Sequence, residues 1–545
     1  MKITKTKCLT AACVSFIFLL AACSSNGQKQ AQQQVLNWNE KTELPTLDPS
    51  LATDGTSFDM LNNSMDGLYR LGKNSKITPG LAAKTKISDH GLKYTFQLRK
   101  GTKWSNGDTV TAKDFVYSWR RTVDPKTNSS YAYLFDGIKN AMDIADGKKP
   151  LNTLGIQAVG KYKLVVTLDK QIPYFKLLMG FPIFFPQNER TVKQFGNKYG
   201  TTSKAMAYNG PFKMAGWTGT NLNWKLTKNK TYWDRKAVKL NQINFKVNKS
   251  TTTSYNLYQS GKLDETELSA EQSKALTNKK GYRVLPSATV YYLGFNKDRH
   301  NGLENQKIRQ AISYAIDRKQ FVNKILGNTG AKADGIVSSK LASYKGKDFA
   351  QAAQTKVGVS YDKGKAQKLL KEGLAEVGRS ELKLDLLTDD TDANKKNVEF
   401  LQSQIEEHLG GKVKISTTSV PFKTRLARST AGDYDIVLQY WGADFADPIT
   451  FLQIFSGDNP SKTGGWKDPE FDKLIKDSMT DDALNRGKRW QDMIQASKIL
   501  SQKQVIAPLY QEKTPAMISP KVKGLIMNTA GVSNNWKYAY ISRQE

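Results

Sequence analysis

Residues Ala82–Val116 read AAKTKISDHGLKYTFQLRKGTKWSNGDTVTAKDFV, and the run Tyr94-Thr95-Phe96-Gln97-Leu98 within them alternates over a strand length before ending in charged and turn-forming residues. A period of two marks a half-buried β-strand. Lys163-Leu164-Val165-Val166-Thr167-Leu168 reads the same way, as an apolar, β-branched strand. Further on, Ile308, Ala311, Ile312, Ala315, Ile316, then Val322, Ile325 and Leu326 recur at three- and four-residue spacing. That stripe predicts an amphipathic helix closed by Gly327-Asn328. Asp435-Ile436-Val437-Leu438-Gln439-Tyr440 reads as a short buried strand, with a helix-like segment before it and Gly442 to Pro448 after it. Strands and helices mix, so the class is α/β with α+β character.

The chain is long, 545 residues, which predicts about three or four structural units with sizeable cores. Its composition is that of ordinary globular material except in charge. There are 82 Lys and Arg against 50 Asp and Glu, a net charge of +32. Such a balance suits nucleic acid, an anionic membrane or an anionic wall. The basic residues are scattered in ones and twos without the block expected of a nucleic-acid arm, which speaks against a nucleic-acid partner.

All three cysteines, Cys8, Cys13 and Cys23, fall in the first 23 residues, so the remainder can build neither a disulfide framework nor a zinc-cysteine cluster. Lys2, Lys5 and Lys7 precede the apolar stretch Leu9 to Ala22, the layout of an export signal that is too short for a comfortable membrane span. Leu20-Ala21-Ala22-Cys23 resembles the bacterial lipobox, which implies a signal peptide over 1–22 and a diacylated Cys23 as the mature first residue. An ordinary secretory signal with an incidental Cys23 is the other reading. Two acyl chains hold a protein to a bilayer without a transmembrane helix. Ser24 to Gln34 lacks apolar periodicity and reads as a flexible tether, placed at 23–35 with the lipidated cysteine. The expected location is the outer face of the cell membrane of a Gram-positive bacterium.

The run Pro173 to Pro186, PYFKLLMGFPIFFP, is apolar, but Lys176 and its three prolines argue against a membrane segment and for a buried connection between units. His90, His300 and His408 are isolated, so no local metal site is assembled, and no GxSxG, GxxxxGK[ST] or GxGxxG motif is present. Asp444 and Asp447 lie close enough in sequence to leave a carboxylate pair of a secreted glycoside hydrolase open. Against that, Asp447-Pro448 is a common turn or helix-start dipeptide.

The Ala82–Val116 stretch as a whole resembles the signature of the extracellular solute-binding proteins, family 5, of peptide ABC importers. The resemblance continues through Thr46-Leu47-Asp48-Pro49, Tyr117-Ser118-Trp119-Arg120-Arg121, Asn209-Gly210-Pro211-Phe212, Asn229-Lys230-Thr231-Tyr232-Trp233-Asp234 and Arg309 to Arg318, and is strongest toward the oligopeptide-binding lipoproteins. It implies a two-lobed periplasmic-binding-protein-like clamp of the large, type II peptide-binding class, with an extra inserted domain. On this chain the first lobe falls at 36–65, 200–289 and 513–545, the inserted domain at 66–199 and the second lobe at 290–512, joined by two strand-like crossings.

The resemblance also implies the site. Tyr440-Trp441-Gly442-Ala443-Asp444 matches the segment in which an aspartate holds a peptide's α-ammonium while main chain pairs with its backbone. Thr53 and Gly55 fall on the opposite wall, where pairing with the ligand's backbone is implied, though Asp54-Gly55 suits an exposed turn almost as well. Trp441, Tyr131 and Phe445 are candidate liners. The implied protein is a non-enzymatic monomer, without cofactor or metal, that passes an oligopeptide to permease subunits driven by cytoplasmic ATPases. A binder of oligosaccharide, haem or a metal chelate on the same fold is the alternative.

Overall fold

The structure, a computed structural model, describes residues 34–457 and 464–542. The signal peptide, Cys23 and the tether as far as residue 33 lie outside the described residues. Gln34 and Val35, read from sequence as tether, belong to the folded body. The Gln34 side chain exchanges two hydrogen bonds with the main chain of Ile541, at 2.9 and 3.0 Å, and Val35 opens the first strand.

That strand, β1 (Val35–Glu40), pairs in parallel with Gln242–Val247, more than two hundred residues later, in a sheet completed by Asn223–Lys228 and Phe212–Ala215. Helix α1 (Gly55–Ser64) follows β1. The stretch between the paired strands includes a second sheet, in which Ala82–Ser88, Lys93–Leu98, Lys163–Thr167 and Ile156–Ala158 pair antiparallel. Lys93–Leu98 and Lys163–Thr167 are the two strands expected from alternation. A three-stranded sheet joins β2 (Glu265–Glu267), Thr514–Ile518 and Tyr282–Leu285.

The largest sheet is mixed and six-stranded. Its order is Gly330–Lys332, β6 (Ile506–Glu512), β3 (Thr289–Phe295), β5 (Ile436–Gly442), β4 (Leu382–Asp389) and Val413–Val420. It is tied to the three-stranded sheet at two short crossings, Leu285 to Thr289 and Glu512 to Thr514.

The motifs that carry the resemblance turn out to be tethers. Asp48 is 1% exposed and takes a two-pronged bond from Arg121, at 2.7 and 2.6 Å. Asp66, at the exit of α1, accepts from Arg70, from the Tyr232 hydroxyl at 3.0 Å and from Trp233 Nε1 at 2.7 Å. Asn209 exchanges two further bonds with its main chain. Gly210 lets the two segments touch, since a Cβ there would lie 2.4 Å from the Met65 nitrogen. The apolar run 173–186 is interior packing, with Phe181 against Phe58 at 4.6 Å and the Phe184 carbonyl taking the Trp119 indole N–H at 2.9 Å.

The long helix expected over Ile308 to Leu326 is broken. An α-helix covers Gln306–Tyr314, a short one restarts at Arg318–Phe321 with Asp317 as its cap, and a π-type turn covers Val322–Leu326. The reason is Arg318, which is 1% exposed and gathers the Ser313, Ile316 and Pro508 carbonyls at 2.9, 3.3 and 2.6 Å. A buried guanidinium takes acceptors where it can, and here it takes those at the helix end. Burial pushes its pKa down to about 9.

Removing one partner of a buried ion pair leaves the other charge uncompensated, at about 3–5 kcal/mol. Asp66→Ala is therefore expected to lower stability to urea unfolding by about that much, and adding Arg70→Met should restore part of the loss. An unchanged midpoint in the single variant would contradict the role given to Asp66.

Candidate functional site

Strand β5 sets the site. β3 runs antiparallel along its whole length, Thr289 opposite Gly442 through Phe295 opposite Ile436. On the other side β4 meets it only at Leu386–Ile436 and Leu387–Val437, because β4 continues beside Val413–Val420. From Leu438 to Gly442 that second edge has no strand partner among the described residues. The strand runs two residues beyond the expected Tyr440, so Trp441 and Gly442 belong to it.

A cavity of about 240 Å³ opens against this edge. Tyr440, Trp441, Gly442, Asp444, Thr53, Gly55 and Tyr131 all line it. Phe445 does not; it stacks on Tyr174 at 4.6 Å in the core. Asp447 is outside the lining too, held by Arg489 through two 2.8 Å bonds, so it serves as a structural acid and not as a partner of Asp444.

Asp444 lies two residues beyond the end of β5 and is 6% exposed. Its backbone is pinned: Ala443 N–H donates to the Ala288 carbonyl at 3.0 Å, and the Ala443 carbonyl accepts from Gly531 N–H at 2.7 Å. Gly531 sits at φ +81°, and a Cβ there would lie 2.4 Å from Leu71 Cδ1, so glycine alone makes this contact. The Asp444 carboxylate accepts from the Tyr131 hydroxyl at 3.2 Å and the Thr450 hydroxyl at 3.3 Å. Burial, then the Asp444 charge, push the Tyr131 phenol well above its ordinary range, so it stays a donor. The Tyr131 ring is stacked on Trp441, with centroids 6.0 Å apart.

The opposite wall is a helix start. Asp54 caps α1, its Oδ1 accepting Ser57 N–H at 2.8 Å, so Thr53 and Gly55 flank a buried cap instead of an exposed turn or a strand. A Cβ on Gly55 would meet nothing within 4 Å, since the residue faces open space.

The sequence reading missed most of the charged wall. Glu40, Asp54, Asp59, Glu265, Glu267, Asp444 and Glu512 face the cavity against two cations, Lys41 and Arg425. Both cations are engaged: Lys41 lies 3.5 Å from Glu267 and 3.2 Å from Glu512, and Arg425 lies 2.9 Å from Asp389. Lys41, Glu267 and Glu512 also line an adjoining cavity of about 160 Å³ that reaches Asn394 and Asn397. Burial raises the Asp54 carboxyl to about 6 and the Asp59 carboxyl to about 7, although each accepts backbone N–H bonds that oppose the shift. Glu40 and Glu265 are held well above the carboxylate range by burial and then by neighbouring acids. One signal was available: Glu265 and Glu267 are two apart in a strand, a spacing that puts both on one side. The other acids come from residues 40–59, from 444 and from 512, which only the fold brings together.

A carboxyl raised in the folded state contributes stability that is complete below its unfolded value, about 3.9, and is lost as pH rises through the folded value. For Asp54 that window runs from about 4 to about 6. Asn also caps helices, so Asp54→Asn should keep α1 while removing the ionisation. Its stability relative to the parent should improve by about 1–3 kcal/mol between pH 4 and pH 7 and level off above. A difference independent of pH in urea titrations would contradict the burial of this charge.

Comparison with known proteins agrees over the whole body. The model of the bacterial extracellular solute-binding proteins, family 5 (middle region), matches residues 76–463. A dipeptide-binding protein of Lactococcus lactis subsp. cremoris is 37% identical over 538 residues, 96% of each chain. The substrate-binding domain of an oligopeptide ABC transporter from Bacillus anthracis superposes with a TM-score of 0.91 at 38% identity, covering 94% of this chain and 99% of that one. Listeria monocytogenes OppA bound to peptide gives 0.90 at 39% identity, covering 94% of this chain and all of that one. With its α/β periplasmic-binding-protein-like body, the chain belongs to the bacterial extracellular solute-binding proteins, family 5.

Proposed function

We propose that this protein captures oligopeptides outside the cell and delivers them to an ABC permease. The observation that carries the reading is the end of β5, Tyr440 to Gly442, which lies on the cavity wall beyond the reach of β4 and leads to the buried Asp444. An extended peptide can add to such an edge through main-chain hydrogen bonds, which every peptide offers whatever its side chains. Asp444 then takes the α-ammonium, with the Tyr131 and Thr450 hydroxyls orienting its carboxylate. The names of the relatives point the same way, being those of dipeptide- and oligopeptide-binding proteins.

The clamp is assigned as in the sequence reading, with lobes at 36–65, 200–289 and 513–545 and at 290–512, and an inserted domain at 66–199. The crossings at Leu285–Thr289 and Glu512–Thr514 serve as the hinge; both border the cavity, so ligand contacts and lobe closure are coupled there. A bound peptide favours the closed arrangement in proportion to its extra affinity for it, and the permease reads that state. Cys23, lipidated, holds the body at the outer face of the membrane of a Gram-positive bacterium, leaving the basic surface among anionic wall polymers.

Truncating one partner of a buried charge pair costs about 2–5 kcal/mol, so Asp444→Ala should weaken binding of a free-amine tetrapeptide about 30-fold or more in calorimetric titration. N-acetylating the peptide should weaken binding to the unaltered protein similarly. Equal affinity for acetylated and free peptide would remove the ammonium role of Asp444. Replacing Cys23 with Ala should move the protein from the membrane fraction to the medium, and its retention on membranes would contradict lipidation.

A further inference from the structure

Three of the most deeply buried acids of the body are met by arginine, and the cavity wall holds acids that are not. Asp48, Asp66 and Asp389 are each at most 3% exposed, and each holds an arginine: Arg121, Arg70 and Arg425. Glu40, Asp59 and Glu265, on β1, α1 and β2, face the cavity together, and none has an ion-pair partner within 4 Å among the described residues. Glu265 is 2% exposed and its Oε2 has no hydrogen-bond partner; Asp54 Oδ2 and Asn534 Oδ1, on the same wall, are likewise buried acceptors without a donor. A buried acceptor left without a donor costs about 1–3 kcal/mol, more when it is charged.

This cluster is distinct from the Asp444 corner. Glu40 is raised by burial and by the charges of Asp59, Glu267 and Asp54, and Glu265 by burial, Glu267 and Glu40, whereas the Asp444 charge acts on Tyr131 and Tyr133. Glu40, Asp59 and Glu265 thus make a second acidic cluster on the cavity wall, whose carboxyls burial and mutual repulsion hold toward the protonated form until a cation relieves them. Among the described residues no three acids converge closely enough to hold a metal ion; the partner that suits buried acceptors without donors is an ammonium or guanidinium on a flexible chain. Such a group supplies several N–H donors to a wall where buried acceptors, Glu265 Oε2 and Asp54 Oδ2 among them, have none.

We infer that Glu40, Asp59 and Glu265 form a side-chain pocket selecting peptides that carry lysine or arginine downstream of their first residue. The inference rests on the peptide-binding reading and adds charge selectivity to it. Backbone pairing along β5 accepts any sequence, and the acidic pocket ranks the accepted ones.

The test is calorimetric titration of the purified full-length protein with tetra-alanine and with its variants carrying lysine, norleucine or glutamate at position 2, 3 or 4. Norleucine keeps the aliphatic stem and lacks the charge. At one or more positions lysine should bind at least 10-fold tighter than norleucine, and glutamate should bind weakest. In Glu265→Gln, and separately in Glu40→Gln, that preference should fall below 3-fold while affinity for tetra-alanine stays within 3-fold of the parent. Equal binding of lysine and norleucine peptides at every position by the unaltered protein would overturn the pocket while leaving peptide capture intact. A preference that survives both substitutions would overturn the assignment to these residues. Failure of all the peptides, tetra-alanine included, to bind would overturn the peptide reading and the pocket with it. The comparison within the unaltered protein decides the question even if a variant does not fold.

Discussion

A carboxylate withdrawn from water must find donors, and the arrangement of this protein follows from where they are supplied. In the body they come from arginines and aromatic side chains. Asp48 is met by Arg121, and Asp66 by Arg70, Tyr232 and Trp233. These contacts knot segments far apart in sequence into the frame around the cavity. Around the cavity itself carboxylates outnumber cations, and the two cations present are spent on Glu267, Glu512 and Asp389. The deficit is local, lies on the wall where the end of β5 has no strand partner on its second side among the described residues, and matches a ligand that brings its own donors.

The same economy positions Asp444. A strand that ends in a loop usually leaves the next side chain free to wander, yet Ala443 is fixed from both sides by Ala288 and Gly531. The carboxylate direction is then set by two hydroxyls. Both hydroxyls donate to it, which holds the carboxylate in one direction at the cavity wall. Three residues on, Asp447 is bound by Arg489 and turned away from the cavity.

Much of this was legible in the sequence, and what was not has a physical cause. Local pattern located three strands, alternation for Lys93–Leu98 and apolar, β-branched runs for Lys163–Thr167 and the core of β5, since both signals are written in neighbouring residues. The resemblance brought Tyr440 to Asp444 and Thr53 to Gly55 to one cavity, although they lie nearly four hundred residues apart. The broken helix at Ala315 to Asp317 was invisible because its cause, Arg318 reaching the Pro508 carbonyl, is a tertiary contact. Phe445 failed as a liner because an aromatic residue beside a site is as ready to pack on Tyr174 as to face a ligand. The acidic wall was missed for a similar reason. Each of its residues is an unremarkable acid in its own segment, and only the fold adds them together.

That wall also separates two meanings of charge in one molecule. The chain as a whole carries +32, which disfavours a cationic ligand at long range. At physiological ionic strength such fields decay over about 8 Å, so the exterior charge is largely screened from a group already inside the cavity. Inside, withdrawal from water weakens the screening and makes the few nearest carboxylates decisive. Outer charge thus governs where the protein resides among anionic polymers and lipids, and inner charge governs what the cavity retains. The two can carry opposite signs without conflict because they act over different distances and in different media.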